Sequence, residues 1–199
     1  MEHHKHFYTD KNTLEQIYKI ISDHEISLTE DDIFNFLRIT NRWPYEYYWK
    51  QPSIEVITEY GGGYTIFDMK GRFLFDEWKK YYDLGFTSIL SNVFDLTPEL
   101  RKLSEKIFQF VGTEVNSNFY FTRGSTNHRI SFPHHDHDYH VIVKPIYGKS
   151  KWILGEKMFT PEHPFIIPAW TRHSVCECKE KKLSLSINFP ADAFPHHGT

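Results

Sequence analysis

The first part of the chain has the hydrophobic spacing of helices. Apolar residues recur three or four positions apart within residues 13–22, which predicts a helix there. A second helix is predicted from Thr29, because its hydroxyl can cap the first turn and acidic residues follow it. Residues 1–52 are therefore expected to form a helical N-terminal annex, and its aromatic segment 43–49 is expected to pack against the main domain.

From Ser53 onward the apolar residues alternate with polar ones, as in half-buried strands. One strong helix pattern follows over residues 98–111, with Thr97 as its cap. Later apolar segments, separated by turn residues, predict short strands at 115–122, 141–146, 151–154, 165–167 and 183–189. Helices followed by many short strands are typical of a mostly β, α+β barrel or sandwich. We expect one β-rich domain over residues 53–190 and a C-terminal tail over residues 191–199.

The composition narrows the class of function. The 199 residues carry a formal net charge of −3, so there is no bulk electrostatic case for nucleic-acid binding. Aromatic residues make up 17% of the chain, which excludes a disordered protein. No segment has the run of about 20 apolar residues that a membrane span needs, and the N-terminus has no apolar signal-peptide core. Cys176 and Cys178 are too close for an ordinary disulfide, so we expect a cytoplasmic protein.

The candidate chemistry lies in residues 133–140, which contain four histidines and two aspartates. On a strand, alternate side chains share a face, so His135 and His137 would face one way and His134 and Asp136 the other. Either pair could supply two ligands to a metal, and a third ligand is expected from His173. Imidazole suits Fe, Zn, Cu or Ni, and two histidines with a carboxylate suit non-haem Fe(II).

The order of these residues resembles the pattern of the cupin superfamily. In cupins, HxH is followed by a glycine, here Gly148, and then by P-x-G-x-x-H, here Pro168 to His173. Trp170 stands where many cupins have glycine.

The chain more closely resembles the JmjC-like branch, which includes protein hydroxylases. NFYFT at 118–122, GKSKW at 148–152 and SINF at 186–189 are similar to that branch's segments, and the likeness covers residues 86–189. The resemblance implies a double-stranded β-helix with Fe(II) near one mouth. It also implies 2-oxoglutarate as the usual co-substrate, and often a homodimer.

The ligand pair stays open at this point. His135 and His137 keep the family's spacing to Gly148 and continue an apolar face, but they put histidine where the JmjC-like branch has aspartate. The pair His134 and Asp136 restores HxD but requires a β-bulge. We take His135, His137 and His173 as the predicted metal ligands.

The co-substrate is a second departure from the family. Ser150 stands where the family has a lysine that pairs with the far carboxylate of 2-oxoglutarate, and Lys144, Arg129 or Arg172 would have to replace it. Without that lysine and the aspartate, the site resembles the three-histidine cupins, which bind the organic substrate directly to iron.

The remaining predictions concern the pocket and the reaction. Tyr120, Tyr139, Ser150 and Asn188 are expected to line the pocket for substrate or co-substrate. The predicted function is a metal-dependent oxygenase that uses Fe(II) and O₂ to hydroxylate a small molecule or a peptide side chain. The alternatives are a three-histidine dioxygenase, a zinc- or manganese-dependent isomerase or hydrolase, and a cupin that binds metal or ligand without catalysis.

Overall fold

The computed structural model describes residues 9–39, 53–57, 63–64, 66–125, 131–176 and 178–191. The aromatic segment 43–49, Arg129 and most of the predicted tail lie outside the described residues.

Three of the four α-helices in the described part begin at a side-chain cap, and the third along the chain begins without one. Asp10 accepts a hydrogen bond from the backbone N–H of Thr13, and Thr97 accepts one from that of Leu100. Thr29 and Asp32 each accept the other's backbone N–H, which is a capping box. The helices are α1 (Lys11–Asp23), α2 (Glu30–Ile39), α3 (Phe75–Asp83) and α4 (Pro98–Val111), with a 3₁₀ turn at Val93–Asp95.

The strands are short and fall mostly where alternation predicts them. The structure adds β5 and β8, whose short segments mix apolar with polar residues, and β10 coincides with the strand that the sequence predicts at His173. The strands are β1 (Ile54–Ile57), β2 (Gly63–Tyr64), β3 (Ser88–Ser91), β4 (Asn116–Thr122), β5 (Phe132–His135), β6 (Tyr139–Tyr147), β7 (Trp152–Leu154), β8 (Lys157–Phe159), β9 (Phe165–Ile167), β10 (His173–Val175) and β11 (Lys182–Pro190).

Strands β4 to β11 are divided between two antiparallel sheets. Within the described residues, the larger sheet has the order β2-β1-β3-β4-β11-β6-β9 and the smaller has the order β5-β10-β7-β8. The chain therefore passes repeatedly between the sheets, and the four-strand sets β4-β11-β6-β9 and β5-β10-β7-β8 have the winding of a double-stranded β-helix. This arrangement confirms the expected mostly β, α+β fold class.

The larger sheet is buried on both faces. Its outer face packs against the helices, where Phe121 and Leu185 meet Ile17 and Trp78 in the main hydrophobic core. Its inner face meets the smaller sheet through a second and smaller cluster, Val141, Val143, Trp152, Ile167 and Val175. The candidate site lies on this inner side.

Gly148 fixes the turn after β6. Its φ of 72° is left-handed, and a Cβ there would lie 1.9 Å from the backbone oxygen of Lys181. Only glycine fits such a close approach. The glycine that the sequence shares with the cupin pattern therefore lets the turn pack against the start of β11.

Candidate metal centre

The three predicted histidines meet from two strands and one connecting segment. His135 ends β5, His137 lies just before β6, and His173 begins β10. Since β5 and β10 are neighbours, His135 pairs directly with His173 across the smaller sheet. One potential ligand atom of each histidine lies within 4.8 Å of those of the other two. The three imidazoles are therefore close enough to hold one metal ion.

The backbone around His137 departs from the expected single strand. That expectation is wrong, because β5 ends at His135 and β6 begins only at Tyr139. The alternation of faces nevertheless continues through the connection, so His135, His137 and Tyr139 all line one cavity. The connection is held by Trp170, whose backbone N–H donates to the carbonyl oxygen of His137 at 2.8 Å. Trp170 has a φ of 62°, so the position where many cupins have glycine keeps a left-handed backbone.

Each histidine has one ring nitrogen fixed by a backbone carbonyl. The Nδ1 atom of His135 lies 2.9 Å from the carbonyl oxygen of Pro133, and that of His137 lies 2.9 Å from the carbonyl oxygen of Tyr139. The Nδ1 atom of His173 lies 2.8 Å from the carbonyl oxygen of Thr171. A carbonyl oxygen only accepts, so Nδ1 carries the proton and donates in all three rings. In this tautomer Nε2 has a free lone pair and can bind a metal.

Burial also favours the neutral form of the three rings. Desolvation lowers the pKa of His135 and of His137 below the ordinary value, and it lowers the pKa of His173 to about 4. The rings are consequently neutral near pH 7 and need not lose a proton before binding a metal. The donor set suits Fe, Zn, Cu or Ni.

Aromatic side chains hold the rings in place. Tyr139 stacks on His137, with 4.1 Å between centroids and 5° between planes, and the centroid of Phe132 lies 4.5 Å from that of His135. Trp152 lies nearly parallel to His173 at 6.4 Å. These contacts restrict the orientation of the ligands before any metal binds.

The histidines open onto a cavity of about 160 Å³ between the two sheets. Its walls combine apolar side chains of β6 and β9 with polar side chains of β11. The predicted pocket residues Tyr120, Tyr139 and Asn188 all line it. Such a cavity, apolar with a few polar groups, is typical of a small-molecule site.

The alternative ligands point elsewhere. His134 and Asp136 are exposed, on the opposite side of the segment from His135 and His137. Among the described residues, the group placed to hold a metal contains His135, His137 and His173 and no carboxylate. The geometry therefore brings together the three-histidine set rather than the HxD set.

Ser150 occupies a different place from the one predicted. It is buried but is not among the residues that line the histidine cavity, and its hydroxyl accepts a hydrogen bond from the indole N–H of Trp152 at 2.9 Å. Ser150 therefore orients Trp152, which does line the cavity.

The suggested replacements for the family lysine do not reach the cavity either. Lys144 donates to the carbonyl oxygens of Ile21 and Ser22 at the end of α1, and Arg172 is exposed.

Lys182 is a cavity residue that was not among the predicted site residues. This lysine begins β11, is 3% exposed and lines the cavity. The signal was available, because residues 182–189 alternate strictly and put Lys182 on the same face as Asn188.

No family model matches the chain, and no curated protein matches it in sequence. Among solved structures, EutQ from Clostridium difficile has a TM-score of 0.35 at 12% identity, over 54% of this chain and 71% of that one. A conserved protein of unknown function from Streptococcus pyogenes has a TM-score of 0.33 at 12% identity, over 41% of this chain and 68% of that one.

Salicylate 1,2-dioxygenase from Pseudaminobacter salicylatoxidans has a TM-score of 0.32 at 12% identity, over 38% of this chain and 21% of the dioxygenase. This chain thus matches about a fifth of that enzyme. At these TM-scores the likenesses carry no argument about function.

In the described part of the chain, no helix is long and apolar enough to cross a membrane.

Proposed function

We propose that this protein is a non-haem Fe(II) oxygenase in which His135, His137 and His173 hold the metal and the cavity holds a small-molecule substrate. The observation that carries the proposal is the convergence of three neutral imidazoles, each with its Nδ1 fixed by a backbone carbonyl and its Nε2 available. Three protein ligands leave coordination positions open, as a catalytic rather than a structural metal site requires.

The chain itself would bind, orient and shield the substrate. When bound, Fe(II) supplies the activation of O₂ for attack on a nearby C–H or other bond of the substrate. Val141, Val143 and Ile167 give the cavity an apolar wall that excludes water. The side chains of Asn188 and Tyr120 line the same cavity and offer an amide and a hydroxyl to orient a polar substrate group.

The resemblance to the JmjC-like branch bears on which co-substrate the proposed oxygenase uses. Use of 2-oxoglutarate would fit the resemblance, but a three-histidine site without a carboxylate favours an oxygenase that binds its organic substrate directly to the metal. A cavity of about 160 Å³ between two sheets suits a small molecule better than a peptide side chain. A cytoplasmic location, a homodimer and the absence of nucleic-acid partners stay predictions.

The first test is metal content. Protein loaded anaerobically with Fe(II) and dialysed is expected to keep roughly one iron per chain, because three imidazoles converge on one point. His135→Ala and His173→Ala should lose this iron. His134→Ala and Asp136→Asn are matched controls from the exposed side of the same segment and should keep it. Iron retained by His173→Ala, or lost by Asp136→Asn, would contradict the assignment.

The second test separates the chemistries. Iron-loaded protein is screened for O₂ consumption with small organic substrates, with and without 2-oxoglutarate. Consumption that depends on substrate alone supports direct binding of the substrate to the metal.

A zinc-dependent isomerase or hydrolase is the second candidate, because three histidines with an open position also suit zinc. It predicts preferential zinc uptake and turnover that is independent of O₂.

A further inference from the structure

The first residue of β11, Lys182, is buried, which is rare for a lysine. Lys182 is 3% exposed, and it makes no hydrogen bond and no ion pair with any residue in the described part of the chain. Lysine is almost never fully buried unless it is paired. A buried ammonium without a partner is costly, so its presence calls for an explanation.

The contacts of Lys182 do not supply the missing partner. Its Nζ lies 5.5 Å from the centroid of the Trp152 ring, and Cys178 is the titratable side chain whose charge affects it. A cation–π contact returns only part of the hydration that a buried ammonium loses. Burial raises the pKa of the Cys178 thiol, which donates to two backbone carbonyls and stays neutral. Among the residues that the structure describes, no anionic side chain therefore compensates the positive charge of Lys182.

A second unsatisfied group lies beside the lysine. Ser184 is two residues further along the same face of β11, and its buried hydroxyl has no hydrogen-bond partner in the described part of the chain. Both residues line the histidine cavity. One cation and one neutral hydroxyl donor match the single charge and two oxygens of a carboxylate. A phosphate carries more charge and more acceptor oxygens than these two groups satisfy.

We infer that Lys182 and Ser184 bind the carboxylate of a small organic acid, whose other end reaches the three histidines. Trp152 lies between the two ends of this site, since its ring is near both Lys182 and His173. Ser150 holds the Trp152 indole, and the Gly148 turn packs against the start of β11. Ser150, which stands where the JmjC-like branch has its lysine, thus supports Trp152 and does not itself bind the carboxylate.

The inference adds the ligand class to the proposed function, and it rests on that proposal for the part that reaches the metal. Its test is therefore run first on the metal-free full chain. The probe is succinate, with neutral succinamide as a control of the same length. The readout is the ¹³Cε resonance of Lys182, identified by its absence in Lys182→Met, together with calorimetric affinity.

Succinate is expected to shift the Lys182 resonance, and succinamide is not. Lys182→Met should bind succinate about 10- to 100-fold more weakly, because it loses a charge-assisted hydrogen bond. Ser184→Ala should weaken succinate binding less than Lys182→Met does. Lys151→Met removes an exposed lysine from the same part of the fold and should bind like the wild type.

Three results would overturn the inference. They are an unchanged Lys182 resonance with succinate, equal binding of succinate by Lys182→Met and wild type, and a stronger response to inorganic phosphate than to succinate. The resonance is read in the wild type, so the test does not depend on the folding of a variant. Loss of iron binding would leave the succinate result standing, which separates the failure of this inference from that of the proposed function.

A second arm tells apart the two sources of the carboxylate. Anaerobic Fe(II) protein is titrated with 2-oxoglutarate and observed by visible absorption. A weak charge-transfer band that is lost in Lys182→Met and kept in Lys151→Met assigns the carboxylate to 2-oxoglutarate. Succinate binding without such a band assigns it to the organic substrate.

Discussion

The two faces of β11 are both buried, but they have opposite chemistry. The outer face contributes Leu183, Leu185, Ile187 and Phe189 to the main hydrophobic core. The inner face presents Lys182, Ser184, Ser186 and Asn188 to the cavity. One strand therefore stabilises the fold with one set of side chains and lines the candidate site with the other.

This difference shows how a buried polar face can be recognised as functional. A strand buried on both faces in a structural role is expected to read as a nearly continuous apolar run. Here alternate positions stay polar although three of the four are buried, and Ser184 and Lys182 find no polar partner among the described residues. Burying such groups costs stability, which supports the carboxylate site proposed above.

The largest expected effect comes from breaking the outer face. Leu185→Ala removes a fully buried side chain from the main core and should lower the free energy of unfolding by about 2–5 kcal/mol. Urea denaturation of the metal-free protein measures this loss. A loss below about 1 kcal/mol would mean that the core does not depend on this face.

Acid should lower the stability of the metal-free protein through His173, which lies on the inner side of the barrel. The pKa of His173 is lowered to about 4, whereas an unfolded chain protonates histidine near its model value of 6.5. The unfolded state therefore binds more protons below pH 6.5, and the stability of the metal-free protein should fall as the pH falls from 6.5 toward 4. The expected loss from this residue is about 3 kcal/mol.

Denaturation at several pH values tests this prediction, with His134→Ala as the exposed control. The fall in stability should persist in His134→Ala and be smaller in His173→Ala. An equal fall in His173→Ala would show that other groups cause it.

Lys182→Met should stabilise the ligand-free protein by about 1–3 kcal/mol, because it replaces an unpaired buried charge with an apolar side chain of similar length. Burial lowers the pKa of Lys182 from 10.5 to about 8, so the wild type carries the full penalty below pH 8. Between pH 8 and 10.5 the folded protein loses the proton first, and the difference between variant and wild type should shrink.

Thermal and urea unfolding of both proteins at pH 7 and at higher pH measure this difference. The charges of Lys182 and Cys178 influence each other, so the same comparison is made with Cys178→Ser in both proteins. A destabilised Lys182→Met at every pH would contradict the picture of an uncompensated charge.

The smallest expected effect is that of Ser186→Ala on the inner face. Ser186 contributes a hydroxyl that is within 3.4 Å of the side-chain oxygen of Asn188 and does not belong to the hydrophobic core. Its removal should change stability by less than about 1 kcal/mol. Comparison with Leu185→Ala, its neighbour on the other face, sharpens the contrast within one strand.

The helices and the longer strands were predictable because their signals are local. The cap at Thr97 and the spacing within 98–111 predicted α4 with the bounds that the structure has. The strands β5 and β8 were missed because their segments FPHH and KMF mix apolar with polar residues, whereas the equally short β7 and β9 are entirely apolar and were predicted. The alternation of faces grouped His135 with His137 and His134 with Asp136, and the apolar face beyond His135 and His137 favoured the pair that the structure brings to His173.

The sequence by itself determined which side chains can share a face. This was enough to separate His135 and His137 from His134 and Asp136, and it held the information that places Lys182 beside Ser184. Only the tertiary structure decided which faces meet. The pairing of β5 with β10 brings His173 to His135, and the passage of the chain between two sheets buries Lys182 against the same cavity. The physical reason is that alternation is a property of one strand, whereas a metal centre and a buried charge depend on contacts between strands that are distant in sequence.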